Sequence, residues 1–357
     1  MKAFRTYEEL NERLEALADE IPEKKAAKEF TVAKKTEAYN TAFWETMHTG
    51  MPQNALKEGS DGTGGYLVPD TYEDKLVKKL TVKNILRRIS NTIQTTHCLH
   101  IPVAGDMNCA DWVPENTVMK FMDAEFSEII LDSHKLGTTI RVSDEMLEDG
   151  GIDLEEFILD VFSERIGTAE EDAFMSGDGN GKPLGLMYQA QLGMVSESEN
   201  DITMDDMVDL EYSLKSKYRK NAVWLMSEDA YYRLRRIPHY QGHGVWRQNL
   251  EEGEPEQLFG YPIYICNAMD DVAPGKIPVM FGDFRYFWIG DRGKRVIKRL
   301  VERYADRGQV AFITTERVDA KLVLPEAVKM LKISGTPAAE ASSLPRAVPV
   351  WHLPALW

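Results

Sequence analysis

From Leu154 to Ala173 the residues Leu154, Phe157, Ile158, Val161, Phe162, Ile166, Ala169 and Ala173 keep helical spacing for about twenty residues. A stripe that long needs a partner surface along its whole length, so the rest of the chain must be built around it. Asp153 with Glu156 predicts the N-terminal cap. At its far end the helix runs into Gly177-Asp178-Gly179-Asn180-Gly181-Lys182-Pro183. A phosphate-binding loop needs four residues between its first Gly and the Gly-Lys pair, then Ser or Thr, and it follows a strand. Here three residues intervene, Pro183 replaces the hydroxyl, and a helix precedes. No Glu completes a calcium loop either. The run reads as a helix stop.

Charge narrows the function further. The net charge is −16, and between Glu115 and Asp172 there are 17 acids against four bases, which accounts for −13 of it. Affinity for nucleic acid comes mainly from neutralising phosphates, so this chain is expected to repel DNA rather than grip it. Three cysteines, Cys98, Cys109 and Cys266, show no framework spacing and fit a reducing compartment. No signal peptide and no membrane span are expected.

Along the chain, Thr6 and Glu9 head a short amphipathic helix with Leu10, Leu14, Leu17 and Ile21 on its seam. Phe43, Trp44 and Met47 form a helical patch read as docking outside its own arm, or equally as packed on the chain's own core. Pro69 to Leu80 reads as helix and Ile85 to Ile93 as strand. Thr95 to Thr139 is mostly extended, with strand-like pieces at Ile101, Trp112 and Phe126 to Leu131, and is expected to build no core of its own. Beyond Gly193, helix and strand signals alternate: helix from Met204 to Tyr218, a buried strand from Ala222 to Met226, helix from Glu228 to Ile237, then strands at Tyr261 to Cys266 and Val279 to Phe281.

Candidate chemistry is sparse. His97, Cys98, His100 and Cys109 lack the paired spacing that zinc prefers, and His239 and His243 flank Gly242 beside Pro238. No G-x-S-x-G elbow occurs. No catalytic residue, cofactor or metal is expected. Arg292, Lys294, Arg295, Lys298, Arg299 and Arg303 form a basic run, read either as touching DNA or an acidic neighbour, or as a solvated strand edge.

A helix closing in the pattern AF-x-x-GDG-x-GKP-x-GL, the block Gly64-Gly65-Tyr66-Leu67-Val68-Pro69 ahead of it, and Phe281-Gly282-Asp283-Phe284, Gly308-Gln309-Val310, Arg317 to Lys321 and Pro325 to Val328 behind it stand in order. Together they resemble the major capsid proteins of tailed phages, the Hong Kong 97-type capsid fold. The resemblance runs from about Thr36 to Ser334. It implies an α+β chain with an N-terminal helical segment (1–35), an N-terminal arm (36–66) and a peripheral domain begun at 67–94. An extended β-hairpin loop (95–140) follows, then peripheral residues carrying a long spine helix (141–192), an axial domain (193–290), closing peripheral strands (291–334) and a flexible tail (335–357).

It also implies a structural protein, not an enzyme, that forms pentamers and hexamers of an icosahedral head around double-stranded DNA. A portal, a scaffolding protein and a prohead protease would be its partners, no membrane is involved, and assembly would take place in the host cytoplasm. The alternatives are an encapsulin-like compartment around a cargo enzyme and, remotely, a soluble nucleotide- or zinc-dependent enzyme. Phe43, Trp44, Met47, Trp112, Lys120, Phe126, Phe157, Arg165, Arg292 and Arg299 are the candidates for contacts between subunits. Some members of the family cross-link a loop Lys to an Asn with help from a Glu. Here Lys120 lies beside the matching place at Met119, while Gly308 and Thr315 occupy the other two positions, so no such bond is expected.

Overall fold

The computed structural model describes residues 37–49, 66–67, 69–104, 126–148, 153–237, 246–247 and 255–335. In chain order these form helix α1 (Glu37–Thr49), strand β1 (Tyr66–Leu67), α2 (Asp70–Lys83), α3 (Ile85–Ile89), β2 (Asn91–Thr95), β3 (Leu99–Ala104), β4 (Phe126–Leu131), β5 (His134–Ser143), α4 (Asp144–Glu148), α5 (Leu154–Ser176) and α6 (Leu186–Gln189). They continue with β6 (Gln191–Val195), α7 (Met204–Ser213), α8 (Ser216–Arg219), β7 (Val223–Met226), α9 (Glu228–Arg235), β8 (Trp246–Arg247), β9 (Gln257–Leu258) and β10 (Tyr261–Ile265). The last strands are β11 (Val279–Gly282), β12 (Phe287–Arg292), β13 (Val296–Leu300), β14 (Gln309–Leu322) and β15 (Val328–Lys332).

Two sheets carry the body. One has six strands in the order β1-β13-β14-β12-β2, with β5 also paired to β14; the other has seven, β6-β15-β11-β7-β10-β9-β8. Strand β14 is the spine of the first sheet. One of its edges takes β5, from Gln309 opposite Ser143 to Val318 opposite His134. Its other edge takes β13 and then β12. Pairing resumes at Val318 and ends at Thr315, so the bend between β12 and β13 lies beside Glu316 and Arg317.

Helix α5 has 23 residues, about 34 Å at 1.5 Å per residue. Asp153 caps it by accepting from the Glu156 N–H at 3.2 Å, as its sequence predicts. Ile158, Phe162 and Ile166 are fully buried against Tyr72, Leu76 and Leu80 of α2 and against Ile140, Ile297 and Phe312 of the six-stranded sheet. Down the outside of this helix pair runs a ladder of ion pairs: Lys75 with Glu155, Lys79 with Asp160 and Lys83 with Glu164. Both numbers rise together, so α2 and α5 run parallel. Exposed pairs contribute little, about 0–1 kcal/mol each, and the apolar stripe does the holding.

A second core lies between the sheets, where Phe174 and Met175 at the end of α5 meet Leu225, Met280, Phe287, Ile289 and Val328. The seven-stranded sheet packs Trp224, Phe281 and Leu331 under Met207 and Leu210 of α7 and Leu234 of α9.

Several elements differ from the sequence reading. Ile85–Ile89 is helical rather than extended, because the Asn84 side chain accepts from the Arg87 N–H at 3.2 Å and starts a new turn; the strand begins only at Asn91. The helix from Met204 is capped by a reciprocal Thr203–Asp206 box and breaks at extended Leu214 before the short α8. Val328–Lys332 does not finish the same sheet as the preceding strands. It inserts between β6 and β11 of the seven-stranded sheet, while Phe287–Arg292 belongs to the six-stranded one. The chain therefore crosses between the sheets twice after residue 279, from β11 to β12 and from β14 to β15.

The stretch from 95 to 139 is only partly an excursion. His134 onward is embedded as β5, and Ile101 and Leu131 at the base of the β3–β4 ribbon are buried with Val323.

Candidate functional site

The glycine-rich run after α5 is a backbone-closed stop. Gly177 N–H donates to the Ala173 carbonyl at 2.9 Å, and Gly185 N–H donates to the Gly177 carbonyl at 2.8 Å. Asp178 is bridged to Leu184, and its carboxylate accepts from the Asn180 N–H at 3.1 Å. Gly179 and Gly181 have φ of 78° and 71°, the left-handed region. A Cβ on Gly177 would lie 2.1 Å from the Pro183 carbonyl oxygen, so only glycine fits. The loop sits at the C-terminal end of its helix, where the dipole repels anions, which removes the phosphate reading on physical grounds.

Beneath α5 lies the feature the sequence reading missed. Arg87 of α3 is buried and spans two acids. Its Nε and Nη2 donate to Glu170 at 2.6 and 2.5 Å, and its Nη1 and Nη2 donate to Asp291 at 3.1 and 2.8 Å. Arg295, in the bend between β12 and β13, donates from Nε to Glu316 at 2.7 Å and approaches Asp291 at 3.5 Å and Glu73 at 3.9 Å. Burial opposes the charge on Arg87, yet Glu170 and Asp291 hold its pKa well above the ordinary value. Burial also pushes Asp291 up, and the two guanidiniums outweigh it, leaving the carboxyl below its usual range.

Two sequence signals could have found this cluster. Glu170 falls on the buried stripe between Ile166 and Phe174, four residues from each, and Arg87 lies between the apolar residues Ile85, Leu86 and Ile89. Arg295 also corrects the view of the basic run as either a DNA-facing or a solvated edge. Its side chain is 5% exposed, because the bend turns it inward onto Glu316.

The expected contact residues separate into groups. Phe43 and Met47 are fully buried in the chain's own core beside Tyr72 and Ile297, so of the two readings of the patch it is packing on the chain's own core that the structure shows. The reason is helical phase: Tyr39, Phe43 and Met47 recur every four residues and face the same way as the α2–α5 groove. Trp44 is half-buried with its ring 5.2 Å from Tyr72, and Phe157 is half-buried against the same core.

Arg165 donates to the Thr139 carbonyl at 2.9 Å, tying α5 to β5. Arg292 donates to Ser133 at 2.9 Å and Asp132 at 3.3 Å, fixing the base of the ribbon. Arg299 reaches the His48 carbonyl at 3.5 Å. All three are engaged within the chain. Trp112 and Lys120 lie outside the described residues, as do Cys109, His239, His243 and the side chain of Phe126.

His100 pairs with Glu128 across the ribbon at 2.7 Å. Among the described residues no group of three or more His, Cys, Asp or Glu is placed to hold a metal ion, and no helix is long and apolar enough to cross a membrane. Large exposed side chains that the sequence reading did not single out are Tyr188, Leu192, Tyr212 and Tyr232, and a groove of about 820 Å³ opens beside Val103, Tyr286 and Trp288.

A long helix laid along one sheet, a second sheet sharing the core at its end, and a two-stranded ribbon leaning from the first define the Hong Kong 97-type capsid fold. Solved structures bear this out. The capsid of a native GTA particle matches with a TM-score of 0.61 and 26% identity, over 70% of this chain and 90% of that one. A chain from Microbacterium phage Oxtober96 matches with a TM-score of 0.55 and 14% identity, over 70% and 91% of the two chains, a likeness of fold alone.

The model of the phage capsid family matches residues 64–333, and the chain belongs to that family. The major capsid protein of Klebsiella oxytoca phage phiKO2 is 24% identical over 247 residues, 65% of this chain and 57% of that protein. That of Escherichia phage T5 is 25% identical over 319 residues, 83% of this chain and 68% of that protein. The chain thus spans a little over half of the first relative and about two thirds of the second.

Proposed function

We propose that this chain is the major capsid protein of a tailed phage or prophage, a structural subunit of the virion that closes with its copies into pentamers and hexamers of an icosahedral head. The observation that carries this reading is the family match, whose span of 64–333 takes in both sheets, the ribbon and α5. Subunits meeting head to tail around an axis make heterologous contacts that close only at particular rotations, and several modest contacts per subunit multiply into a stable shell. A net charge of −16 suits a wall that encloses double-stranded DNA without sequence-specific binding.

A portal, a scaffolding protein and a prohead protease are the partners this role calls for, with assembly in the host cytoplasm. The relatives named above are capsid proteins, which favours a phage head over a cargo compartment. Heads purified from induced host cells should yield this chain's peptides from their most abundant protein band. Heads whose main wall protein is another chain would overturn the proposal.

Those heads should fall apart to single chains in hot detergent. Gly308, which holds the Asn position of the family's cross-link, has φ of 59° and caps a turn, and Thr315 stands at the Glu position. Neither can form or assist an isopeptide bond. A ladder of high-mass bands that survives reductant would show that another pair does so.

A further inference from the structure

The buried cluster under α5 has an imbalance in its charges. Every element around it contributes: Tyr72 and Glu73 from α2, Arg87 from α3, Glu170 from α5, Asp291 from β12, Arg295 from the following bend and Glu316 from β14. Four carboxyl groups share two guanidiniums. Asp291 is served by both arginines, and Glu170 accepts from two nitrogens of Arg87. Glu316 has a single donor, Arg295, on its Oε2; its Oε1 is buried and has no hydrogen-bond partner among the described residues. A bare carboxylate oxygen in a dry interior costs more than a proton placed on it.

We propose that Glu316 is held as a neutral carboxylic acid and that its ionisation works as a proton-operated latch between strand β14 and helix α5. With the proton on, Arg87 can serve Glu170 and Asp291 in full while Arg295 bridges Asp291 and Glu316. With the proton off, a fourth negative charge competes for the same two guanidiniums. The joints they hold, between α3, α5 and the β12–β13 bend, then loosen. The latch belongs to the single chain and does not rest on the shell reading.

Burial, with the Glu170 carboxylate alongside, pushes the Glu316 pKa up to about 8. An exposed glutamate releases its proton near pH 4.3. The folded chain therefore keeps a proton that the unfolded chain has lost, so stability falls as pH rises through that window and levels off above about 8. One such proton permits at most about a tenfold change in the folding equilibrium per pH unit.

The test compares denaturation of the full chain at pH 6 and pH 9 with that of Glu316→Gln, which keeps the shape and removes the titration. The native chain should lose more than tenfold in its folding equilibrium between these pH values relative to the variant. Equal losses in the two proteins would overturn the latch. Infrared difference spectra of the native chain labelled with ¹³C-glutamate give a readout that does not need the variant to fold. A carboxylic-acid carbonyl band should be present at pH 6.5 and gone by pH 9.5. Absence of that band at pH 6.5 overturns the proposal, as does a band that persists in a folded Glu316→Gln protein.

Discussion

Replacing Arg87 with methionine should destabilise the dissociated subunit by about 3–5 kcal/mol, read as a shift in its chemical denaturation midpoint. Arg87 is the only contact that joins Glu170 of α5 directly to Asp291 of β12 among the described ion pairs. Its removal strands one carboxylate on the helix with no other ion-pair partner among the described residues and leaves Asp291 with Arg295 alone at 3.5 Å. The large number reflects the charges left behind rather than the worth of the pair itself, since whole buried ion clusters can often be exchanged for apolar groups at little cost. A double variant, Arg87→Met with Glu170→Gln, should therefore recover much of the loss. Arg87→Lys should remain well below the native chain, because an ammonium cannot fork onto two carboxylates. A loss under about 1 kcal/mol in Arg87→Met would mean the cluster is hydrated and holds little.

Phe162→Ala should cost a similar 3–5 kcal/mol, for a different reason. Phe162 is fully buried at the middle of α5, between α2 and the six-stranded sheet. Helices held by an apolar stripe that packs on one another and on the sheet below cannot close a phenyl-sized void easily. Phe43→Ala offers the useful contrast. It removes an equally buried ring, but from α1, whose loss of packing can be met by local undocking. Its cost is capped at the free energy that docks α1, and hydrogen exchange should show the change confined to residues 37–49. Equal global destabilisation by both variants would place α1 in the same cooperative unit as α5.

How much of this was legible follows from the range over which each feature is decided. Helix α5 and its Asp153 cap could be read because a 3.6-residue period and a cap need only neighbours in sequence. The helix stop at Gly177 was equally local. Strand partnership was not: nothing in Val328–Lys332 says that it will insert between β6 and β11 rather than extend the sheet that β14 has just completed. Ile85–Ile89 differs from the sequence reading because three apolar residues among five, Ile85, Leu86 and Ile89, suit either a strand or a buried helical turn, and the Asn84 cap decides for the turn.

The ion cluster escaped because the reading followed apolar positions and passed over Glu170 on the stripe itself. Phe43 and Met47 show the opposite limit. Sequence found the apolar face of α1 but could not say whose surface would cover it, and in the structure that surface is the chain's own. The exposed tyrosines at 188, 212 and 232 carry no periodic signal, and only the fold reveals that they lie outside the core.

The full-length protein, expressed alone and brought through a range of concentrations in assembly buffer, should appear in negative-stain electron micrographs as rings, closed shells or tubes. Light scattering on the same samples should report masses many times that of one chain. A monodisperse single chain at every concentration, with no assembled particles in the micrographs, would contradict the capsid account.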